Sequence, residues 1–175
     1  MANWSADVAH SSVKFSVSHM VIAEAEGNFR VFDGTIITTG DDFEGAAVNF
    51  TVDVASINTD NEGRDGHLKS DDFFNAEAYP KMTFASTSFT KKSDSKYILA
   101  GDLTIRDITQ SVSFDVRYNG TVKDPWGNTK AGFKATTEIN RLDYNLKWNA
   151  LTEIGSMVVG KEVTITVNLE VALQA

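Results

Sequence analysis

Residues Val48 to Val54 read VNFTVDV: Val48, Phe50, Val52 and Val54 are apolar, while Asn49, Thr51 and Asp53 between them are polar. Side chains of an extended chain point alternately to opposite faces, so this period of two marks a strand with one buried and one wetted face. The pattern recurs in both directions. Upstream, Val13, Phe15 and Val17 alternate with Lys14, Ser16 and Ser18, and Phe29 and Val31 open a strand that runs past Gly34 to Ile36 or Ile37. Its phase slips near Asp33-Gly34, which predicts a β-bulge there. Downstream come Met82 and Phe84; Tyr97, Leu99, Leu103 and Ile105; Val112, Phe114, Val116 and Tyr118; Ala131, Phe133, Ala135 and Ile139; and Val163, Ile165, Val167, Leu169 and Val171. The result is an all-β fold of eight antiparallel strands. Strands of about ten residues, roughly 33 Å at ~3.3 Å per residue, suit a tall tilted barrel, although alternation alone specifies only the class.

One stretch breaks the alternation. Arg64 to Pro80, RDGHLKSDDFFNAEAYP, is preceded by Thr59 and Glu62 in the spacing of a capping box, which predicts a helix from about Asp60. Leu68 is its only large apolar residue before Ser70, too thin a stripe to anchor a helix across a core. Ser70 is placed as a second N-cap, and Phe73, Phe74 and Tyr79 as anchors. Thr59 to Phe74 is therefore expected to form a short helical insertion across one end of the β-structure. Asp124-Pro125-Trp126-Gly127 carries type I turn residues, and Trp126 is expected to fold back on the nearest strand; left exposed, it would be available to a membrane or a partner. Arg141 to Lys161 is the least periodic segment and reads as a loop with a helical turn.

At 175 residues and 42% hydrophobic, residues 1–175 suit a single cored domain. A net charge of −8 and only one adjacent basic pair, Lys91-Lys92, exclude nucleic-acid binding, which needs concentrated Lys and Arg. Without cysteine there is no disulfide framework and no thiolate chemistry. Residues 1–20 lack the basic and apolar regions of a signal peptide, and no run reaches transmembrane length, so the expected location is the cytoplasm. A chain beginning after a cleaved signal would be periplasmic instead.

Chemistry-bearing residues are sparse. His10, His19 and His67 do not share metal-ligand spacing, and no metal is expected. Asp65 is placed to orient His67, with Ser70 the nearest hydroxyl, but no strained nucleophile elbow surrounds it. Asp41-Asp42, Asp71-Asp72 and Asp60 with Glu62 read as solvated turns rather than the facing carboxyls of a glycosidase or a twelve-residue calcium loop. No glycine-rich phosphate loop occurs, so no nucleotide cofactor is expected. The protein is accordingly read as having no catalytic residues; a hydrolase using His67 with Ser70 or an acidic pair is the rival reading.

Five pieces in order carry a resemblance across nearly the whole chain: HSSVKFSVSHM from His10, GNFRVFDGTI from Gly27, RDGHLKSDDFF followed by YP and Phe84, GDLTIRDIT from Gly101, and INRLDYNLKWN from Ile139. Together they resemble the YceI-like family of bacterial polyisoprenoid-binding proteins. The resemblance implies a lipocalin-like barrel whose elongated interior stores or carries a polyisoprenoid lipid, of the prenylated quinone or polyprenyl phosphate type, without catalysis. It also implies a homodimer; transient membrane contact, through a residue such as an exposed Trp126, is a separate expectation that the resemblance does not supply. Combined with the inward parity of each strand, it places ligand against Phe15, Val17, Phe50, Phe84, Leu99, Leu103, Phe114, Phe133, Val163 and Ile165. Phe73 and Phe74 close one end, Trp148 makes contact, and Gly101 leaves room. Without the resemblance the same apolar face reads as packed core, and a filled barrel would serve as an interaction module. The chain departs from the family at Asp107 and Asn145, where Gly is usual and a positive φ is therefore expected, which Asp and Asn tolerate, and at Tyr144, where Phe is usual; the Tyr144 hydroxyl needs a partner if buried.

Overall fold

In the computed structural model, described over residues 1–20, 22–148 and 159–175, the alternating segments are strands of one sheet. In chain order they are β1 (Ala2–Ala6), β2 (Ser12–His19), β3 (Ala23–Phe29), β4 (Phe32–Thr38), β5 (Ala47–Asp53), β6 (Ile57–Asn58), helix α1 (Glu62–Lys69), β7 (Lys81–Ser93), β8 (Lys96–Ile105), β9 (Ile108–Lys123), β10 (Thr129–Asn140) and β11 (Val159–Leu173). Three pairs are single long strands interrupted once. β1 and β2 lie end to end along β11, with a 3-10 turn at Val8–His10 between them; β3 with β4, and β5 with β6, follow suit. Eight antiparallel strands thus close into a barrel, the last pairing with the first through Val163↔Val17 and Trp4↔Leu173. Closure removes the unpaired edges that an open sheet would expose.

β1 was invisible to periodicity, because Trp4 is the only large apolar residue in five. The phase break expected at Asp33-Gly34 lies instead at Arg30-Val31: Phe29 and Phe32 are both buried, whereas Val31 is 54% exposed. Gly34 sits within an unbroken ladder opposite Phe50, whose ring lies where a Cβ would be, 2.5 Å from the nearest ring carbon. The glycine admits the ring rather than breaking the strand.

The barrel is filled at one end and hollow at the other. Phe43, in the loop after β4, packs on Trp4, Tyr118 and Phe133 with ring centroids 5.2, 5.5 and 4.9 Å apart, and Phe89 meets Tyr97 edge-on at 4.9 Å. These rings close that end with tilted and edge-to-face contacts. At the same end the β9–β10 hairpin turns through Asp124, whose Oδ1 accepts from the Trp126 and Asn128 N–H groups at 2.9 and 2.8 Å. Trp126 does not fold back; it is 83% exposed at the tip.

The other end carries the insertion. α1 is capped by Asn61, whose Oδ1 accepts from the Arg64 N–H at 2.9 Å, and not by Thr59. The Thr59 hydroxyl is engaged elsewhere, donating to Asp65 Oδ1 at 2.5 Å and accepting from Arg64 Nε at 2.9 Å. Ser70 ends the helix rather than starting another turn: its hydroxyl donates to the His67 carbonyl at 2.5 Å. The positive φ expected near Asp107 falls one residue earlier, on Arg106 at +56°, whereas Asn145 adopts it as expected, at +63°. Arg141–Tyr144 forms the anticipated helical turn, and residues 149–158 of the expected loop lie outside the described residues.

Candidate functional site

Between the aromatic end and the insertion runs a cavity of about 370 Å³, within the ~300–1,000 Å³ usual for ligand sites. Its wall follows from strand parity: Phe15 and Val17 of β2, Phe50 of β5, Phe84 of β7, Leu99 and Leu103 of β8, Phe114 of β9, Phe133 of β10, and Val163 and Ile165 of β11 all line it. Phe73 and Phe74 reach it from the insertion and Trp148 from the connection after β10. Ser18, His19 and Arg64 are exposed members of the same wall, so the cavity meets solvent at this end.

Gly101 is the exception among the expected residues. It is buried on the inward face but does not line the cavity, because a Cβ there would lie 2.6 Å from Phe84 Cζ and 2.5 Å from the Ala85 carbonyl oxygen. The room left by its missing side chain is already filled by the neighbouring strand, which shifts register between Ser86 and Ser88. Nothing in the one-dimensional pattern distinguishes a glycine that opens space from one that admits a close approach.

Sequence reasoning missed other parts of the wall: Phe29, Met82, Ile105, Ile139 and Leu146, and the cation Arg141. The first four follow the same inward parity and could have been read from it. Arg141 could not, since Arg141 is a charge beside a turn in sequence but is 2% exposed in the fold. Its Nε donates to the Gly160 carbonyl at 2.7 Å, Nη1 to those of Leu146 and Trp148, the latter at 3.0 Å, and Nη2 to that of Val159 at 3.1 Å.

His67 packs edge-on against Trp148 and Phe73, at 4.8 and 5.1 Å between centroids, at the rim. Its Nε2 meets Asp72 Oδ2 at 2.8 Å, not Asp65, whose carboxylate is taken by Thr59. Ser70 Oγ is directed to the His67 main-chain carbonyl rather than the ring, so the two lack the nucleophile–base contact that activates a serine. Asp7, His10 and Glu170 bring three potential ligand atoms together on the outer surface. Lys130 Nζ already sits 2.7 Å from Asp7 Oδ2, supplying the positive charge a metal would bring.

Residues 4–171 match the model of the YceI-like domain. The chain belongs to the YceI-like family. A UPF0312 protein of Staphylococcus aureus strain N315 is 37% identical over 174 residues, covering 99% of both chains. Among solved structures, the YceI protein of Campylobacter jejuni shares 28% identity with a TM-score of 0.76, over 90% of each chain. Two more distant structures bear on the fold alone. BcnA of Burkholderia cenocepacia has a TM-score of 0.81 at 24% identity, covering 94% of this chain and 98% of its own. A polyisoprenoid binding domain from Saccharophagus degradans, implicated in plant cell wall breakdown, has a TM-score of 0.73 at 17% identity over 98% of each chain. The YceI-like barrel is thus common to chains that otherwise differ at most positions.

Proposed function

We propose that this YceI-like protein binds a long-chain polyisoprenoid lipid in its barrel and stores or carries it without transforming it. The observation that carries the reading is the shape and chemistry of the interior: an apolar cavity closed at one end by packed aromatic rings and open beside the insertion at the other. A lipid chain entering it leaves water at about 0.8 kcal/mol per CH₂ buried, so affinity accumulates along the chain without a reacting group. The Saccharophagus degradans domain, described as polyisoprenoid binding, shares this barrel fold, and its likeness to the present chain extends to that fold. The hydrolase alternative is disfavoured by the separation of Ser70 Oγ from the His67 ring.

The test is mass spectrometry of an organic extract of the purified protein, paired with thermal melting in added geranylgeraniol. A co-extracted prenyl lipid is expected, and melting should rise, because a ligand at a hundredfold excess over Kd adds about 2.7 kcal/mol to the folded state. Absence of both effects would sink the proposal; ester hydrolysis abolished by His67→Ala would install the rival.

A further inference from the structure

The chain carries 24 acidic and 16 basic residues, yet among the described residues lining the cavity there is no Asp or Glu, while Lys14, Arg64 and Arg141 are present. Lys14 alternates outward on β2, between inward Val13 and Phe15. Two guanidinium groups remain, both at the open end. In a protein with a net charge of −8, the charged residues that line this end among the described residues are cations, while the nearby carboxylates of Asp65 and Asp72 are held by Thr59 and His67.

Arg141 is the informative one. Four carbonyl oxygens hold its fork, and its Cζ lies 6.0 Å from the centre of the Phe73 ring. Carbonyl dipoles orient and stabilise a cation without neutralising it, and none of the ion pairs among the described residues involves Arg141. One of its two Nη2 protons has no acceptor among those residues. Burial pulls the guanidinium below its ordinary range, yet an arginine side chain remains charged at neutral pH. An uncompensated buried charge is costly, and its attraction for an anion is strengthened by the low dielectric around it.

Arg64 is held at the rim by a different device. Its Nε and Nη2 donate to the hydroxyl and carbonyl of Thr59 at 2.9 and 2.7 Å, while the Thr59 N–H and hydroxyl are fixed on Asp65. Arg64 precedes His67 by three residues, so both lie on one face of α1. Neither arginine is within ion-pairing distance of a carboxylate among the described residues.

We infer that the cavity is matched to a lipid with an anionic head group, phosphate or carboxylate, received at the open end by Arg141 with Arg64 beside it. Arg141 offers either anion its remaining Nη2 proton and its charge, and Arg64 adds its Nη1 donors, whereas a neutral head such as an alcohol or quinone leaves the buried cation unmatched.

This inference rests on the lipid binding proposed above, and the experiment separates the two. Farnesol and farnesyl phosphate share one chain and differ only in the head. Delipidated protein is titrated with each, and binding is followed by tryptophan fluorescence, Trp148 being on the cavity wall. Farnesyl phosphate is expected to bind at least about tenfold more tightly than farnesol. Arg141→Gln should remove most of that preference and Arg64→Gln part of it, read as the ratio of the two affinities in each variant; equal weakening of both ligands, which leaves the ratio at its wild-type value, would mark a structural role and overturn the inference. Should Arg141→Gln not fold, the wild-type ratio and Arg141→Lys, which keeps the charge but loses the fork, still decide. Equal affinities in the wild type would overturn the anionic head group and leave lipid binding intact. Failure of either ligand to bind would overturn both readings, and inorganic phosphate binding as tightly as farnesyl phosphate would show a free-anion site instead.

Discussion

The Arg106 guanidinium donates to the Phe73 carbonyl at 2.8 Å across 33 residues of sequence, tying the β8–β9 turn to the insertion that borders the cavity. The same group reaches the Asp71 carbonyl at 3.1 Å and its carboxylate at 2.9 Å, and stacks over Tyr79 at 5.3 Å. These contacts account for a non-glycine residue at φ +56°, a conformation that costs a side-chain-bearing residue about 1–2 kcal/mol.

Removing the clamp should therefore loosen the insertion. Arg106→Ala is expected to lose about 1–3 kcal/mol in denaturant melts, since it keeps the strained turn and leaves the Phe73 carbonyl unpaired. Arg106→Gly, which relieves φ, should recover up to ~1 kcal/mol of that loss. Identical midpoints for wild type and Arg106→Ala would show that the clamp does not contribute.

Tyr144 is 1% exposed and its hydroxyl has no hydrogen-bond partner among the described residues. Tyr144→Phe should stabilise the fold by about 1 kcal/mol by removing a desolvated donor. Burial pushes the phenol up to about 12 from 10.0, so the unfolded chain ionises first as pH rises. The stability this group supplies is complete below pH 10 and is lost between 10 and 12. Chemical melts across that range should show an alkaline decline that is smaller in Tyr144→Phe.

Gly101→Ala places a Cβ 2.6 Å from Phe84 and 2.5 Å from the Ala85 carbonyl. A cost of about 1–3 kcal/mol is expected. Because the backbone oxygen remains after the ring is trimmed, Phe84→Ala in the same chain should not rescue it. Full rescue in a double-mutant cycle would show that only the ring occupies this space.

Asp7 is held down to about 2 from 3.8, chiefly by its hydrogen bond from Lys130 and next by that from His10. A depressed carboxyl stabilises the folded state above its unfolded pKa, so this contribution is present above pH ~4 and disappears as pH falls through about 2. Asp7→Asn should be less stable than wild type at neutral pH, and the difference should vanish near pH 2. A difference independent of pH would assign the effect to packing.

What the sequence determined by itself is the set of inward faces. Alternation at Val48–Val54 and Tyr97–Ile105 fixes which side chains share a side of each strand, because Cβ direction is a local property of extended backbone. Every expected wall residue except Gly101 accordingly lines the cavity. Tertiary structure decided the features that depend on what lies opposite. Gly101 is filled because Phe84 and the shifted β7 backbone cross it. Thr59 does not cap its helix because Asp65 and Arg64, brought round by the first turn, compete for its hydroxyl. Arg141 becomes a buried cation on the cavity wall because the carbonyls of Leu146, Trp148, Val159 and Gly160 converge on it from two segments. Burial and hydrogen-bond partners are properties of neighbours distant in sequence, and no local period encodes them.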